Sequence, residues 1–372
     1  MTLRYALIGA GMMGQEHIRN VALLEGVEMA AIADPDEGMR AAALALAGPT
    51  CQAFADAREM LAATRPDAIL IASPNHLHAP TLAEILPAYD VPILCEKPLA
   101  ISPEDCRQVL TAAEGRQAPV WVAMEYRYMP PIARLIEEVR VGTAGRLHML
   151  SIREHRFPFL PKVGDWNRFN AQTGGTMVEK CCHFFDLMRL ILRAEPMRIY
   201  ASAGQNVNHL EERYDGQTPD ILDNAFVTVD FEGGARAMLD LCMFAEGSTW
   251  QEVVSATGDR ARIDAMIPGP GRFAAPGQER TARIAISDRA TRTERIEEVE
   301  VDPTVLAAGD HHGATFYQHQ KFREIVARGG VPEVGLADGL ASVVMGAAAE
   351  QSARTGRAIA MTDGWEVGCP RS

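Results

Sequence analysis

The chain has 372 residues, 47% of them hydrophobic and 23% charged, which is the balance of an ordinary soluble globular protein, and its length favours two domains over a single core. A formal net charge of -13 argues against nucleic acid or an anionic membrane surface as a partner, since both need clustered Lys and Arg, and solubility alone explains the excess of acid. No basic-then-apolar leader precedes the first strand, no apolar run approaches the ~20 residues that span a bilayer, and the seven cysteines have neither disulfide-framework nor zinc spacing, so a reducing, cytoplasmic location is expected.

Leu3 to Ile8 reads as a strand that meets Gly9-Ala10-Gly11-Met12-Met13-Gly14 and then a helical pattern through Leu24. This is the dinucleotide fingerprint in the strand-turn-helix context it requires. Gly9 permits the tight turn, Gly11 lets backbone N–H groups approach a pyrophosphate, Gly14 lets helix and strand pack closely, and the helix start carrying Met12 and Met13 offers its positive dipole end. The next strand, Val27 to Ala33, ends in Asp34, at the offset where an acid accepts hydrogen bonds from a ribose. Asp34-Pro35 lacks the following Ser or Arg that would welcome a 2′-phosphate, and the acid would repel it, so NAD is favoured over NADP. Asp34 can equally serve as N-cap of a helix over residues 36–47.

The alternation continues with a helix near Ala57 to Ala63, a strand from Ala68 to Ala72, a polar loop Ser73-Pro74-Asn75-His76-Leu77-His78, and a helix from Ala79. That loop falls at the carboxyl edge of the sheet, beside the nicotinamide end of a bound cofactor, which makes Ser73, Pro74, Asn75 and His78 candidate contacts; the histidines could also be helix-capping surface residues. A buried strand then delivers Glu96-Lys97-Pro98 to the same edge. An unpaired ammonium is expensive there, so Lys97 is either a proton-relay group near a cofactor or a partner of Glu96. A helix from Pro103 to about Glu114 and a strand from Val120 to Met124 complete about six strands, a doubly wound parallel Rossmann sheet over residues 1–124.

Residues 125–372 change character. After Tyr126-Arg127-Tyr128, Pro130-Pro131 opens an amphipathic helix to about Val139, and Leu147 to His155 reads as a strand. Strand-like runs follow at 197–201, 225–231, 235–244, 249–257 and 260–264, with a hairpin signal at Glu232-Gly233-Gly234. Successive strands joined by tight turns predict an α+β domain with a large, mostly antiparallel sheet. Residues 268–278 form a Pro/Gly-rich loop, and helices at 315–328 and 336–355 close the chain. Between the first strand and the later ones, Gly174-Gly175 leads to Glu179 and His183, four apart and so on one face of a predicted helix, where a carboxylate and an imidazole can act as an acid/base pair or simply as a surface ion pair. Cys181 and Cys182 point about 100° apart on such a helix and cannot both join His183 on one ion, so no metal is expected.

Taken in order, the Gly9/Gly11/Gly14 turn, Pro74-Asn75, Glu96-Lys97-Pro98, Tyr126-Arg127 and Gly174-Gly175…Glu179…His183 resemble the glucose-fructose oxidoreductase/inositol dehydrogenase/rhizopine-catabolism (Gfo/Idh/MocA) family over nearly the whole chain. The resemblance implies an N-terminal Rossmann domain, a C-terminal domain with a large antiparallel sheet, and NAD(P)-dependent oxidation of a secondary hydroxyl on a sugar or cyclic polyol. Lys97 matches the family's catalytic lysine, His183 the histidine that contacts the reacting hydroxyl, and Arg127 a residue near the nicotinamide, with Glu96 beside it on the cofactor side. Glu179 departs from the family's usual aspartate. Lys97 or His183 is then the base and the other stabilises the alkoxide. Tyr126, His155, Arg156, Trp166, Asn167, Arg168 and the His311-His312 pair are further candidates for substrate contact, since an aromatic face flanked by hydrogen-bonding groups suits a sugar ring. Enzymes that oxidise a sugar transiently on a retained NAD and then cleave it, and sugar-sensing regulators without turnover, share the fold. A broad sheet with one uncovered face predicts a homodimer or a dimer of dimers.

Overall fold

A computed structural model describes residues 2–273, 277 and 280–361. The first half alternates strands and helices: β1 (Leu3–Ile8), α1 (Met12–Val21), β2 (Val27–Ala33), α2 (Glu37–Ala47), β3 (Gln52–Phe54), α3 (Ala57–Thr64), β4 (Ala68–Ile71), α4 (Asn75–Ile85), β5 (Ile93–Cys95), α5 (Pro103–Ala112) and β6 (Val120–Val122). The strands form one parallel sheet in the order β3-β2-β1-β4-β5-β6, with the order reversing beside β1. Its central strands are continuous apolar runs because helices cover both faces: all four residues of β4 and all three of β5 are buried. Every loop at the carboxyl ends of β1, β2, β4 and β5 therefore opens onto one edge.

The second half begins with a 3-10 turn over Glu125–Tyr128, then α6 (Pro130–Arg140), β7 (Leu147–His155), the short helices α7 (Asn170–Thr173) and α8 (Thr176–Glu179), and α9 (Cys182–Leu192). The strands β8 (Pro196–Gly204), β9 (Asn224–Phe231), β10 (Arg236–Cys242), β11 (Glu252–Gly258), β12 (Ala261–Ile267), β13 (Ala282–Asp288) and β14 (Glu294–Val299) follow, then α10 (Pro303–Ala307), α11 (Ala314–Arg328), α12 (Leu336–Thr355) and β15 (Ile359–Ala360). Nine strands pair in the order β14-β13-β12-β11-β7-β10-β9-β8-β15, antiparallel except where β10 lies parallel to β7. One face buries Leu150, Ile152, Val227, Val229, Leu239 and Ile263 under helices, while the other presents Met149, Phe226 and Met238 to solvent. The last two long helices return to the Rossmann sheet: Phe322 of α11 packs edge-on to Tyr5 and Trp121, and the Val122 N–H donates to Val334 O at 3.0 Å.

Several expectations change. Asn75 to His78 is the first turn of α4 rather than loop, with Pro74 at its N-cap. β13 and β14 are not among the strands expected from the sequence: β14 is a largely exposed edge strand whose charged residues leave little apolar signal, whereas β13 carries buried Ala282, Ile284 and Ile286 in an alternation that could have shown it. Part of the expected loop at 268–278 lies outside the described residues; a 3-10 turn occupies Gly271–Phe273. The expected single helix through 179 and 183 is broken. α8 ends at Glu179, the Cys181 N–H reaches back five residues to Thr176 O at 3.2 Å, and α9 restarts at Cys182. That wide turn destroys the four-residue register on which a Glu179–His183 pair depended.

Candidate active site

The carboxyl edge of the Rossmann sheet holds a cleft of about 590 Å³ lined by Gly9, Gly11, Met12, Met13, Asp34, Ser73, Pro74, Asn75, His78, Glu96 and Lys97. Gly9 adopts φ +94°, and a side chain on it would sit 2.5 Å from Ser73 N, so the turn tolerates no Cβ. A Cβ on Gly14 would lie 2.1 Å from Gly9 O, whereas the space above Gly11 is open. Asp34 Oδ2 accepts from the Ala10 N–H at 2.7 Å and Oδ1 from the Asp36 N–H at 2.9 Å, tying the glycine turn to the end of β2 while leaving lone pairs toward the cleft. The N-cap of α2 is Asp36, whose carboxylate accepts from the Met39 N–H, not Asp34. Ser73 Oγ and Asn75 Nδ2 are buried donors on the cleft wall without partners among the described residues. His78 is fully buried, with Nδ1 at 2.7 Å from Pro98 O and Nε2 at 2.8 Å from Ser73 O. It braces the β4–α4 junction against the turn after β5 and belongs to the cleft wall.

At the cleft's inner end stands Lys97. Its ammonium donates to Glu179 O at 3.1 Å, and no Lys97–Glu96 ion pair forms. Glu96 instead accepts at Oε2 from the Lys97 N–H at 3.2 Å and pairs through Oε1 with His17 Nε2 at 3.0 Å, His17 Nδ1 meeting His319 Nε2 at 2.9 Å. Burial works against the Lys97 charge, but Cys182, Glu125, Glu96 and Glu179 outweigh it and hold the pKa above the ordinary lysine value. Behind Lys97 lies His183, 1% exposed, its ring stacked on Tyr126 at 4.1 Å and 7°. Burial, then the charges of Lys97, Lys180, His311 and Arg156, push the His183 pKa well below its ordinary value, so the ring is neutral at physiological pH. Its Nδ1 is buried without a partner among the described residues, neither cavity counts the ring among its walls, and its acidic neighbour is Glu125, with Nε2 3.7 Å from Oε1. Glu179 faces away, toward Lys162 at 3.6 Å. Lys162 in turn sits 4.4 Å over the Trp166 ring, and both line the dinucleotide cleft.

A second, larger cavity of about 900 Å³ opens between the start of α1 and the sheet, lined by Glu16, Arg19, His155, Arg156, Gln251, Arg272 and His312 among others; Met12 belongs to the walls of both cavities, so they share a rim. His155 pairs with Asp240 at 3.1 Å, and Arg156 lies 3.4 Å from Glu154. The remaining candidates are structural in place. Arg127 lines neither cavity: Nε and Nη2 grip both oxygens of buried Asp186 and Nη1 donates to Glu333 O at 2.8 Å, locking the 3-10 turn onto α9 and the approach to α12. Tyr126, 2% exposed, accepts a hydrogen bond from Lys180, lies stacked against His183 and lines neither cavity. Asn167 is fully buried and donates to Leu160 O at 3.0 Å, and Arg168, also buried, donates to Glu212 at 2.9 Å. Trp166 stands with the dinucleotide cleft instead of the larger cavity.

Residues 3–124 match the family described as "Oxidoreductase family, NAD-binding Rossmann fold", and residues 136–361 match its C-terminal alpha/beta domain. The chain belongs to the Gfo/Idh/MocA oxidoreductase family. Among curated relatives, the rhizopine catabolism protein MocA of Rhizobium meliloti is 30% identical over 257 residues, covering 68% of this chain and 76% of MocA. Inositol 2-dehydrogenase of Arthrobacter sp. (strain FB24) is 31% identical over 282 residues, covering 75% of this chain and 80% of that enzyme. Among solved structures, a levoglucosan dehydrogenase complexed with NADH and levoglucosan superposes with a TM-score of 0.79 at 21% identity, covering 98% of this chain and 100% of that one. The glycine turn, the open space at Gly11 and the orphaned donors Ser73 and Asn75 fit the nicotinamide dinucleotide of this family. Glu125, Lys162, Lys180 and Glu16 escaped the sequence reading of this Gfo/Idh/MocA member, because an isolated Glu or Lys carries no periodic signal; only Glu125's place beside Tyr126-Arg127 hinted at it.

Proposed function

We propose that this protein is an NAD-dependent dehydrogenase acting on a secondary hydroxyl of a sugar, a sugar derivative or an inositol-like cyclic polyol. The reading is carried by a lysine held charged on the wall of a dinucleotide cleft, with an imidazole held neutral in the layer behind it, close enough that the lysine's charge acts on the ring. Relatives named inositol 2-dehydrogenase and levoglucosan dehydrogenase support the substrate class. Gly9, Gly11, Met12, Met13, Ser73 and Asn75 hold the dinucleotide, and Asp34 selects the unphosphorylated ribose by repelling a 2′-phosphate. When bound, NAD supplies the hydride acceptor. The chain's own part is proton chemistry and positioning. His183 is the base, since a neutral imidazole with an orphaned nitrogen can accept the hydroxyl proton, while the Lys97 ammonium stabilises the alkoxide that forms. Glu179 supports Lys97 through its carbonyl and steers Lys162, and Tyr126 keeps the His183 ring plane. Residues 1–124 bind the cofactor and 125–372 the substrate, whose remaining hydroxyls meet His155, Arg156 and His312 in the larger cavity. The solvent-facing side of the nine-stranded sheet, with Met149, Phe226 and Met238, pairs with a second copy, and a cytoplasmic site of action suits buried free thiols such as Cys95 and Cys182.

A screen of inositols, hexoses and anhydrosugars with NAD⁺, read at the NADH absorbance, tests the reading. Net NADH with at least one polyol is expected; tight NAD⁺ binding with no NADH from any of them would refute it.

A further inference from the structure

We propose that Glu125 is the proton acceptor behind His183, taking from Nε2 the proton that the ring releases when it receives the substrate's at Nδ1. This rests on the dehydrogenase reading above. In bond terms, the substrate O–H breaks as an N–H forms at Nδ1, and the Nε2–H breaks as an O–H forms on Glu125; the hydride goes to the bound dinucleotide, so charge and atoms balance.

Four observations place Glu125 in this role. Its carboxyl is 1% exposed, yet neither oxygen has a hydrogen-bond partner in another of the described residues, an arrangement that costs stability and calls for a functional reason. Its Oε1 lies 3.7 Å from His183 Nε2 and 3.9 Å from His311 Nε2, separations that one water or a closure of under about 1 Å converts to hydrogen bonds. The flat stack of Tyr126 on His183 keeps Nε2 aimed at Glu125, and both Glu125 and Tyr126 belong to one 3-10 turn anchored through Arg127 to Asp186. Finally, the ionisable groups around Glu125 oppose one another. Burial and the Glu96 carboxylate disfavour its charge, while His311 and Lys97 favour it, and the balance leaves its pKa at about 7. His183 is itself flanked by Lys97, Lys180, His311 and Arg156, all positive, and His311 by Glu16 and Lys180. A protonated His183 is therefore unstable where it stands, and a proton passed on to Glu125 is held by a group able to release it again at neutral pH. Neither Lys97 nor His183 titrates there, the first lying above its ordinary value and the second well below.

The test compares parent, Glu125→Gln and His311→Gln proteins in two measurements. Infrared difference spectra over a pH titration of the NAD⁺-bound protein read the carboxyls directly: of the protonated-carboxyl signal lost near pH 7, to which Glu252 and Glu350 also contribute, the share of one group is expected to be missing in Glu125→Gln and moved to higher pH in His311→Gln. The kcat–pH profile with NAD⁺ and myo-inositol, or with the best polyol from the screen, should rise through the same pH in the parent. Glu125→Gln should lose that limb and about 10²-fold in kcat with KM little changed, and His311→Gln should shift it upward. A Glu125→Gln protein with the parent's kcat and pH profile overturns the proposal, as does a carboxyl signal near pH 7 that Glu125→Gln leaves undiminished. If Glu125→Gln fails to fold, the direction of the His311→Gln shift decides. A parent that reduces no NAD⁺ with any polyol while the infrared band titrates as expected refutes the dehydrogenase reading instead.

Discussion

Glu16→Gln tests the link between the Rossmann helix and the segment before α11. Glu16 Oε1 lies 2.7 Å from His311 Nδ1 and accepts from the Thr315 hydroxyl at 2.8 Å, with Glu16 only 4% exposed. Burial works against both charges, yet each overcomes it: His311, Thr315 and His17 bring the Glu16 pKa down to about 2 from 4.5, and Glu16 with Glu125 carries His311 up to about 9 from 6.5. The two displacements describe one interaction and are counted once. At 1.36 kcal/mol per tenfold, that of His311 is about 3 kcal/mol, and because 23% of its side chain meets solvent we take about 2 kcal/mol. The sign follows from linkage. A raised histidine contributes fully below 6.5 and loses its contribution as pH climbs through 9, while a depressed carboxylate contributes above 4.5 and loses it as pH falls through 2. The pair is thus fully felt between pH 4.5 and 6.5. Urea denaturation of the parent and Glu16→Gln at a series of pH values should show a gap of about 2 kcal/mol near pH 6 that closes by about pH 10. Titrating groups remote from the pair cancel in the difference; Glu125, 3.9 Å from His311 Nε2, is present in both proteins. A gap that does not change with pH would refute the argument and reduce Glu16 to a packing residue.

Lys97→Met keeps the apolar stem and deletes the ammonium; kcat should fall about 10²–10⁴-fold while the melting temperature and NAD⁺ dissociation constant stay at the parent's, and unchanged turnover would remove Lys97 from the chemistry. Arg127→Leu leaves Asp186 fully buried without its partner, so stability should drop by about 3–5 kcal/mol while NAD⁺ affinity of the folded fraction is preserved, measured by denaturation and by calorimetry; weakened NAD⁺ binding in a normally stable protein would make Arg127 a cofactor ligand after all. NAD⁺ should bind at least tenfold more tightly than NADP⁺, about 1.4 kcal/mol, and equal affinities in a titration would contradict the role given to Asp34. Light scattering at micromolar concentration should return a dimer or tetramer mass, and a monomer would mean that the sheet face carrying Phe226 and Met238 stays uncovered.

What the sequence determines by itself is whatever can be read within one strand-turn-helix unit. Gly9, Gly11 and Gly14 sit in a single turn whose backbone demands are local, Asp34 ends the next strand at a set offset, and Lys97 follows a buried run directly, so the parallel sheet and the cleft along its edge are legible before any packing is known. Alternation likewise exposes β7 and β9, where one face is apolar, and hides β14, where neither is. The tertiary structure decides how charge is paired once water is excluded. The Glu179–His183 pair rested on an unbroken helical period and vanished with one wide turn. In its place His183 meets Glu125 because α9 docks on the 3-10 turn through Arg127 and Asp186, 59 positions apart, and Glu16 meets His311 from 295 positions away. His78, on the edge where ligands bind, also braces the turn after β5, because Pro98 O comes within 2.7 Å of its Nδ1. Hydrophobic periodicity acts between neighbours in the chain, whereas a buried ionisable group takes its partner and its pKa from whatever folding brings within a few ångströms, and no spacing in the sequence encodes that.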